Sequence, residues 1–187
     1  YWSVPLEESS QAKTAFITKY GLFQYNRMPF GLSCAGATFQ RIIEEVMRGA
    51  VWNWALAYLD DCILLSSTIL QGLERLEEAL SRFRKAGMKF KPSKGQLLRR
   101  SVLFLGHIVS GAGMRPNPKL VEVIRAWEAP RNKKEVLSYM GLVNYYRKFV
   151  PNFSDVAAPL TELTGKTVEF QWSLEAQTAF ESLKRAL

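Results

Sequence analysis

"NWALAYLDDCILLSS", residues 53–67, places two adjacent carboxylates, Asp60 and Asp61, inside an otherwise apolar, strand-like run. An unpaired carboxylate in apolar surroundings costs several kcal/mol even after relaxation. The pair therefore needs solvent at a turn, a basic partner or a metal ion. Strand-forming residues on either side, Trp52–Tyr58 and Cys62–Ser66, predict a hairpin whose tip, Leu59-Asp60-Asp61, carries both acids. Successive strand residues point to opposite faces, so a regular strand cannot aim both carboxylates at one point, whereas a tight turn can. Two readings of the pair compete. Asp-Asp is a common turn dipeptide, and a solvated tip accounts for it. Alternatively, two hard oxygen donors suit Mg²⁺, which accepts one or two carboxylates plus waters and substrate phosphates. In-line phosphoryl transfer uses such a site, with two metals roughly 4 Å apart.

Outward from this hairpin the chain is mixed. Thr14–Thr18 and Phe23–Arg27 are expected as strands around the turn Lys19-Tyr20-Gly21-Leu22, and Tyr1-Trp2-Ser3-Val4 has the look of a strand interior. Pro29 and Gly31 break the chain. From Ser33 to Arg48 the spacing of Phe39, Ile42, Ile43, Val46 and Met47 is helical. Leu70, Leu73, Leu76, Leu80 and Phe83 trace one face of a second helix. Val102–Val109 is expected as one strand, closed by the Gly-rich "SGAGMRPNP". Beyond Pro118 the pattern is helical over about 119–127, 133–149 and 174–187, with Val136, Met140 and Val143 as the buried stripe of the middle helix. The fold class is α+β, a mixed unit followed by a helical one.

At 187 residues and 48% hydrophobic, the chain can bury one real core, or a core plus a small appendage. Lys and Arg number 25 against 17 Asp and Glu, a surplus of +8 that suits a polyanionic partner. Cys34 and Cys62 have neither metal spacing nor a disulfide framework, which fits a reducing compartment. No apolar run is long enough to span a bilayer, so no membrane partner is expected. Without a signal peptide or an initiating Met, the chain reads as a piece of something longer.

Four motifs then occur in order: "NRMPFGLSCAGATFQ" at 26–40, "YLDD" at 58–61, "FLGH" at 104–107 and "MGLVNYYRKFVPNFS" at 140–154. Together they resemble the reverse transcriptase of gypsy-type LTR retrotransposons and their retroviral relatives, over essentially the whole chain. The resemblance implies a right-hand polymerase palm, an antiparallel sheet with packed helices, over 1–112, with part of the fingers at about 7–34. A helical thumb over 113–160 and the start of the connection, or tether to ribonuclease H, over 161–187 would follow.

By that resemblance Asp60 and Asp61 match the catalytic, metal-binding pair of the palm hairpin. Phe30 and Gly31 match the lining of the incoming-nucleotide pocket, where a glycine lets the backbone approach a ligand closely. Gln40 matches a position on the following palm helix, though a polar residue on a helix surface explains it equally well. Tyr1, in "YWSVPL", matches an aromatic that acts as a steric gate against the ribose 2′-OH. As a terminal residue it could equally be frayed. Gly106 and His107 fall in the region that holds the primer end. Asn144-Tyr145-Tyr146-Arg147-Lys148 falls on the thumb, which lies along the template–primer duplex; there Tyr146 and Arg147 are candidate contacts, while Tyr145 and Tyr146 are as readily core residues. The implied cofactor is Mg²⁺, with Mn²⁺ as a substitute and two ions in the complete enzyme. The implied partners are an RNA or DNA template with its primer and a dNTP, with ribonuclease H and integrase downstream. The implied location is the cytoplasm, in a virus-like particle, with the nucleus as a second site.

Residues 82–100, "RFRKAGMKFKPSKGQLLRR", hold eight Lys or Arg and no acid. Lys89, Lys91 and Lys94 are the candidate phosphate contacts, against the plainer reading of a solvated charged surface. The sequence also departs from the family. Gly36 stands after Ala35 where a Pro is usual, and Lys94-Gly95 where Lys-Cys is usual. The third catalytic carboxylate is expected about five residues before Tyr1, and Glu7 and Glu8 are poorly placed to replace it. The alternative to a polymerase is therefore an inactive remnant, or a co-opted nucleic-acid- or protein-binding module with the same fold.

Overall fold

A computed structural model describes residues 1–187. The chain divides into two compact units, Tyr1–Arg99 and Arg100–Leu187. The first contains α1 (Glu8–Gln11), β1 (Phe16–Thr18), β2 (Gly21–Phe23), α2 (Ala35–Val46), β3 (Ala55–Tyr58), β4 (Asp61–Leu64) and α3 (Ile69–Lys85). The second contains β5 (Ser101–Phe104), β6 (His107–Ser110), β7 (Gly113–Pro116), α4 (Pro118–Ala126), α5 (Lys133–Tyr145), α6 (Phe153–Glu162) and α7 (Leu174–Ala186). All strand pairs are antiparallel, in the orders β1-β2, β3-β4 and β5-β6-β7.

In the first unit the apolar stripe of α2 meets β3 and the far end of α3. Ile43, Met47, Ala50, Ala55, Ala79 and Phe83 form the buried cluster. Thr68 starts α3 by accepting a hydrogen bond from the amide of Gln71, at 3.2 Å. Arg82, Arg84 and Lys85 end it, where cations complement the carbonyl end of a helix. The leucine face expected of this helix is only partly used. Phe83 is buried, but Leu70, Leu73 and Leu80 are exposed. The first hairpin is also tighter than the sequence suggests, because Lys19-Tyr20 alone makes the turn and Thr18 pairs with Gly21. Tyr1–Val4 is a turn, closed by the amide of Val4 on the carbonyl of Tyr1, not a strand.

The second unit holds the larger core: Ile124, Val136, Tyr139, Val143, Tyr146, Leu160, Phe180 and Leu183 are all buried. Three of its four helices, all but α6, begin on side-chain caps that the sequence supplies. Asn117 caps α4, with Pro118 in the first turn, Asn132 caps α5 and Ser173 caps α7. Three sequence expectations need correction here. Val102–Val109 is two strands, because Leu105 and Gly106 take positive φ and reverse the chain. The Gly-rich closing stretch supplies a third strand, β7. The 133–149 helix stops at Tyr145, and a separate helix, α6, follows it with Pro159 inside. A proline discourages a helical reading, yet it removes only one internal amide bond, and the burial of Ala157 and Leu160 favours the helix.

Candidate active site

The β3–β4 hairpin pairs Tyr58 with Asp61, so Leu59 and Asp60 alone make the turn. Asp60 therefore lies in the loop and Asp61 opens the returning strand, both exposed. Leu59 sits at φ +50, a left-handed conformation that costs a non-glycine residue roughly 1–2 kcal/mol. Gln40 compensates. Its side-chain oxygen accepts from the Leu59 amide at 2.7 Å, and its Nε2 donates to the Ala57 carbonyl at 3.2 Å and to Glu44 Oε1 at 2.8 Å. One amide side chain thus grips both chemistries of the turn, which a hydroxyl or a carboxylate could not do in the same geometry. Gln40 is not a free polar residue on a helix surface. It is a positioning residue for the carboxylate pair.

The other nucleotide-pocket candidates converge on this corner. The amide of Met28 donates to the Val4 carbonyl, that of Leu6 donates to Asn26, and Arg27 donates to the carbonyls of Trp2 and Ser3. These bonds hold the first residues against 26–28. Tyr1 is consequently packed, edge-on to Phe30 at 5.6 Å and to Phe39 at 5.3 Å between ring centroids. Frayed it is not. A Cβ added at Gly36 would make ordinary contacts with the Tyr1 hydroxyl and the Leu59 side chain, so Gly36 joins the pocket aromatics to the hairpin tip. Phe30 is 69% exposed, and Gly31 takes φ +93 with nothing near its missing side chain. Tyr1, Phe30, Gly31, Gln40, Asp60 and Asp61 thus belong to one corner of the first unit. No group of three or more His, Cys, Asp or Glu in the chain is placed to hold a metal ion. The two exposed carboxylates nevertheless fit a hard divalent cation that keeps waters and substrate oxygens as its remaining ligands.

The second unit gathers Gly106 and His107 at another turn. Leu105 and Gly106 take φ +44 and +69. Tyr145 donates its hydroxyl to the Leu105 carbonyl, and Tyr146 donates to the Gly106 carbonyl at 2.7 Å. A Cβ at Gly106 would lie 3.1 Å from the Tyr145 ring, so both φ and space require glycine. His107 is buried among Tyr145, Tyr146 and Phe149, with Nδ1 2.8 Å from the Leu105 carbonyl. Nδ1 must donate there, and Nε2 is buried without a hydrogen-bond partner. Tyr146 corrects the sequence reading, since a side chain with no exposed surface does not touch a duplex and acts instead by holding Gly106. Arg147 is exposed and lies over the Phe153 ring. In the first unit Lys89, Lys91 and Lys94 are exposed and unpaired. Neither the Gln40 grip nor the two tyrosine hydroxyl bonds was legible beforehand, because each joins residues far apart in the chain.

Residues 1–109 match the family described as reverse transcriptase (RNA-dependent DNA polymerase). The Pol polyprotein of transposon 297 of Drosophila melanogaster is 38% identical over 98% of this chain and 18% of that protein. The Tf2-3 polyprotein of Schizosaccharomyces pombe is 29% identical over the whole chain and 14% of that protein. The chain thus spans less than a fifth of either relative. Among solved structures, the foamy viral protease-reverse transcriptase in complex with double-stranded DNA superposes with a TM-score of 0.84, at 29% identity, over 97% of this chain and 32% of that one. The same viral protein with an RNA/DNA hybrid gives 0.83 over all of this chain and 25% of its own. With a carboxylate pair on a clamped hairpin, four motifs in order and a family match over residues 1–109, the chain belongs to the reverse transcriptase family.

Proposed function

We propose that this chain forms the polymerase core of a retrotransposon Pol polyprotein and joins a dNTP to a primer 3′-OH with release of pyrophosphate. The observation that carries the reading is the exposed Asp60–Asp61 pair on a hairpin tip held in a strained turn by Gln40. Binding alone requires no such pair. The palm would comprise residues 1–112, the thumb 113–160 and the tether 161–187. Asp60 and Asp61 would ligate Mg²⁺, or Mn²⁺ in its place, in a two-ion site. When bound, the ions activate the attacking oxygen and stabilise the leaving one. Tyr1 and Phe30 would line the sugar side of the nucleotide, with Gly31 letting the backbone come close, and Gln40 keeps the carboxylates in place beneath it. Two-ion chemistry calls for a further carboxylate, which we assign to polyprotein sequence preceding Tyr1. Lys89, Lys91, Lys94 and Arg147 would neutralise template–primer phosphates without reading sequence. Gly106 and His107 would support the primer end. Ribonuclease H and integrase would lie downstream, and the polyprotein would work in a cytoplasmic virus-like particle, with the nucleus as a second site.

The test is primer extension on poly(rA) with Mg²⁺ titrated. The 187 residues alone should extend nothing, whereas a polyprotein fragment that adds the preceding segment should be active. In that longer enzyme Asp60→Asn and Asp61→Asn should each lower the rate about a thousandfold or more, with no loss of melting temperature. Extension by the short chain would refute the assignment of the third carboxylate. Full activity of the double variant would refute the site. Neutralising Lys89, Lys91 and Lys94 to Gln should flatten the dependence of log K for duplex binding on log salt, and an unchanged slope would remove these residues from the interface.

A further inference from the structure

Glu44 follows Gln40 by four residues on α2, so their side chains lie on one face of the helix, a turn apart. Arg41 and Arg48 stand three before and four after Glu44, spacings at which helix ion pairs form. Neither pairs with it, since Arg48 is held by Glu45 and Arg41 belongs to no salt bridge. The exposed Glu44 carboxylate accepts a hydrogen bond from Gln40 Nε2, at 2.8 Å. That amide is the one that grips the Asp60–Asp61 hairpin.

A glutamine amide turns easily about its last torsion, and its oxygen and nitrogen ends are nearly the same shape. Its partners therefore decide which end meets the turn. Gln40 Oε1 accepts from the Leu59 amide at 2.7 Å, while Nε2 divides its two hydrogens between the Ala57 carbonyl at 3.2 Å and Glu44. Of these two acceptors Glu44 is the closer and the charged one, and charge-assisted bonds are roughly twice as strong as neutral ones. An ionised carboxylate has nothing to donate, so it rejects an amide turned oxygen-first. That reversal would set the Gln40 nitrogen against the Leu59 N–H and remove the support of a leucine held at φ +50. We propose that Glu44 is a positioning residue for the polymerase reaction: it orients the Gln40 amide, and through it the tip that carries Asp60 and Asp61. The effect on rate rests on the polymerase reading, whereas the effect on the turn does not.

Backbone hydrogen exchange of the 187-residue chain tests the turn, with Glu44→Ala, Glu44→Gln and Glu44→Lys compared. Glu44→Ala should speed exchange at Leu59 about threefold to tenfold. Glu44→Gln keeps an acceptor oxygen and should recover most of the protection, while Glu44→Lys offers only donors and should exceed Glu44→Ala. The Met47 amide, bonded to the Ile43 carbonyl at 2.9 Å on the same helix, is the control and should not change. In the longer polyprotein fragment the variants should lower kcat for primer extension in the same order, about threefold to tenfold for Glu44→Ala, with KM for the dNTP nearly unchanged. Leu59 exchange unmoved by Glu44→Ala, or moved only together with Met47, overturns the proposal. So does a Glu44→Gln no better than Glu44→Ala, or a kcat indifferent to all three variants in an active enzyme. A parent fragment that extends no primer defeats the polymerase reading instead, and Leu59 exchange still decides whether Glu44 sets the turn.

Discussion

In the hairpin Ala55–Leu64 a leucine at φ +50 turns the chain, and in the hairpin Ser101–Ser110 another leucine turns it at φ +44. The sequences at the two turns, Tyr-Leu-Asp-Asp and Phe-Leu-Gly-His, share an aromatic and a leucine, and each turn is pinned by a side chain from a helix. The means differ. At the first turn Gln40 grips one amide and one carbonyl from beneath, and leaves the carboxylates in solvent. At the second, Tyr145 and Tyr146 donate to two successive carbonyls, while their rings, with Phe149, enclose His107. The comparison separates two tasks. A tip whose acids stay in solvent is held by a compact polar group, whereas a tip whose histidine is buried is held by large rings that also fill a core.

That contrast predicts unequal consequences. Tyr146→Ala should cost about 3–5 kcal/mol of the second unit's stability in urea unfolding, because it empties a fully buried ring site as well as the clamp. Gln40→Ala should cost less, about 1–3 kcal/mol, through the Leu59 amide left without its acceptor. Its signature is faster hydrogen exchange at Leu59 and lower extension activity in the longer enzyme, with a smaller fall in melting temperature than Tyr146→Ala gives. If Gln40→Ala proves the more damaging to stability, the distinction between a positioning clamp and a packing clamp fails. Tyr146→Phe should cost only about 0.5–1.5 kcal/mol, since the ring stays and only the bond to the Gly106 carbonyl goes. Burial pushes the Tyr146 hydroxyl above the usual tyrosine range, so this bond persists through ordinary alkaline conditions. The smallest effect concerns Cys62, in β4 of the carboxylate hairpin, whose thiol burial pushes up to about 11. The contribution to stability is full below the ordinary thiol value near 9.0 and is lost as pH rises through about 11. At pH 8 a maleimide should therefore label exposed Cys34 well before Cys62, and equal rates would show that the hairpin opens.

How much of this could be read in advance follows from the range of each interaction. The carboxylate hairpin was legible because its strands, turn and acids are contiguous, as was α2, whose apolar spacing repeats within a few turns. The β5–β6 turn is not evident because Val102–Val109 is apolar almost throughout, and only Gly106-His107 breaks the run. Helix α6 was missed because Pro159 is a local argument against a helix that distant packing overrules. The leucine face of α3 was read correctly as a stripe, but a stripe does not say whether its own unit will cover it.

Alone, the sequence determined the fold class, the α2 and α3 helices, the acidic tip and the family, all signals of short-range order or of motifs in a fixed sequence. Tertiary structure decided that Tyr1 is packed against Phe30 and Phe39, that Gln40 reaches the Leu59 amide, and that Tyr146 is core while Arg147 is exposed. The physical reason is that periodicity reports only which residues share a face. Which face is buried, and which amide a side chain can reach, depends on elements that meet only when the chain has folded.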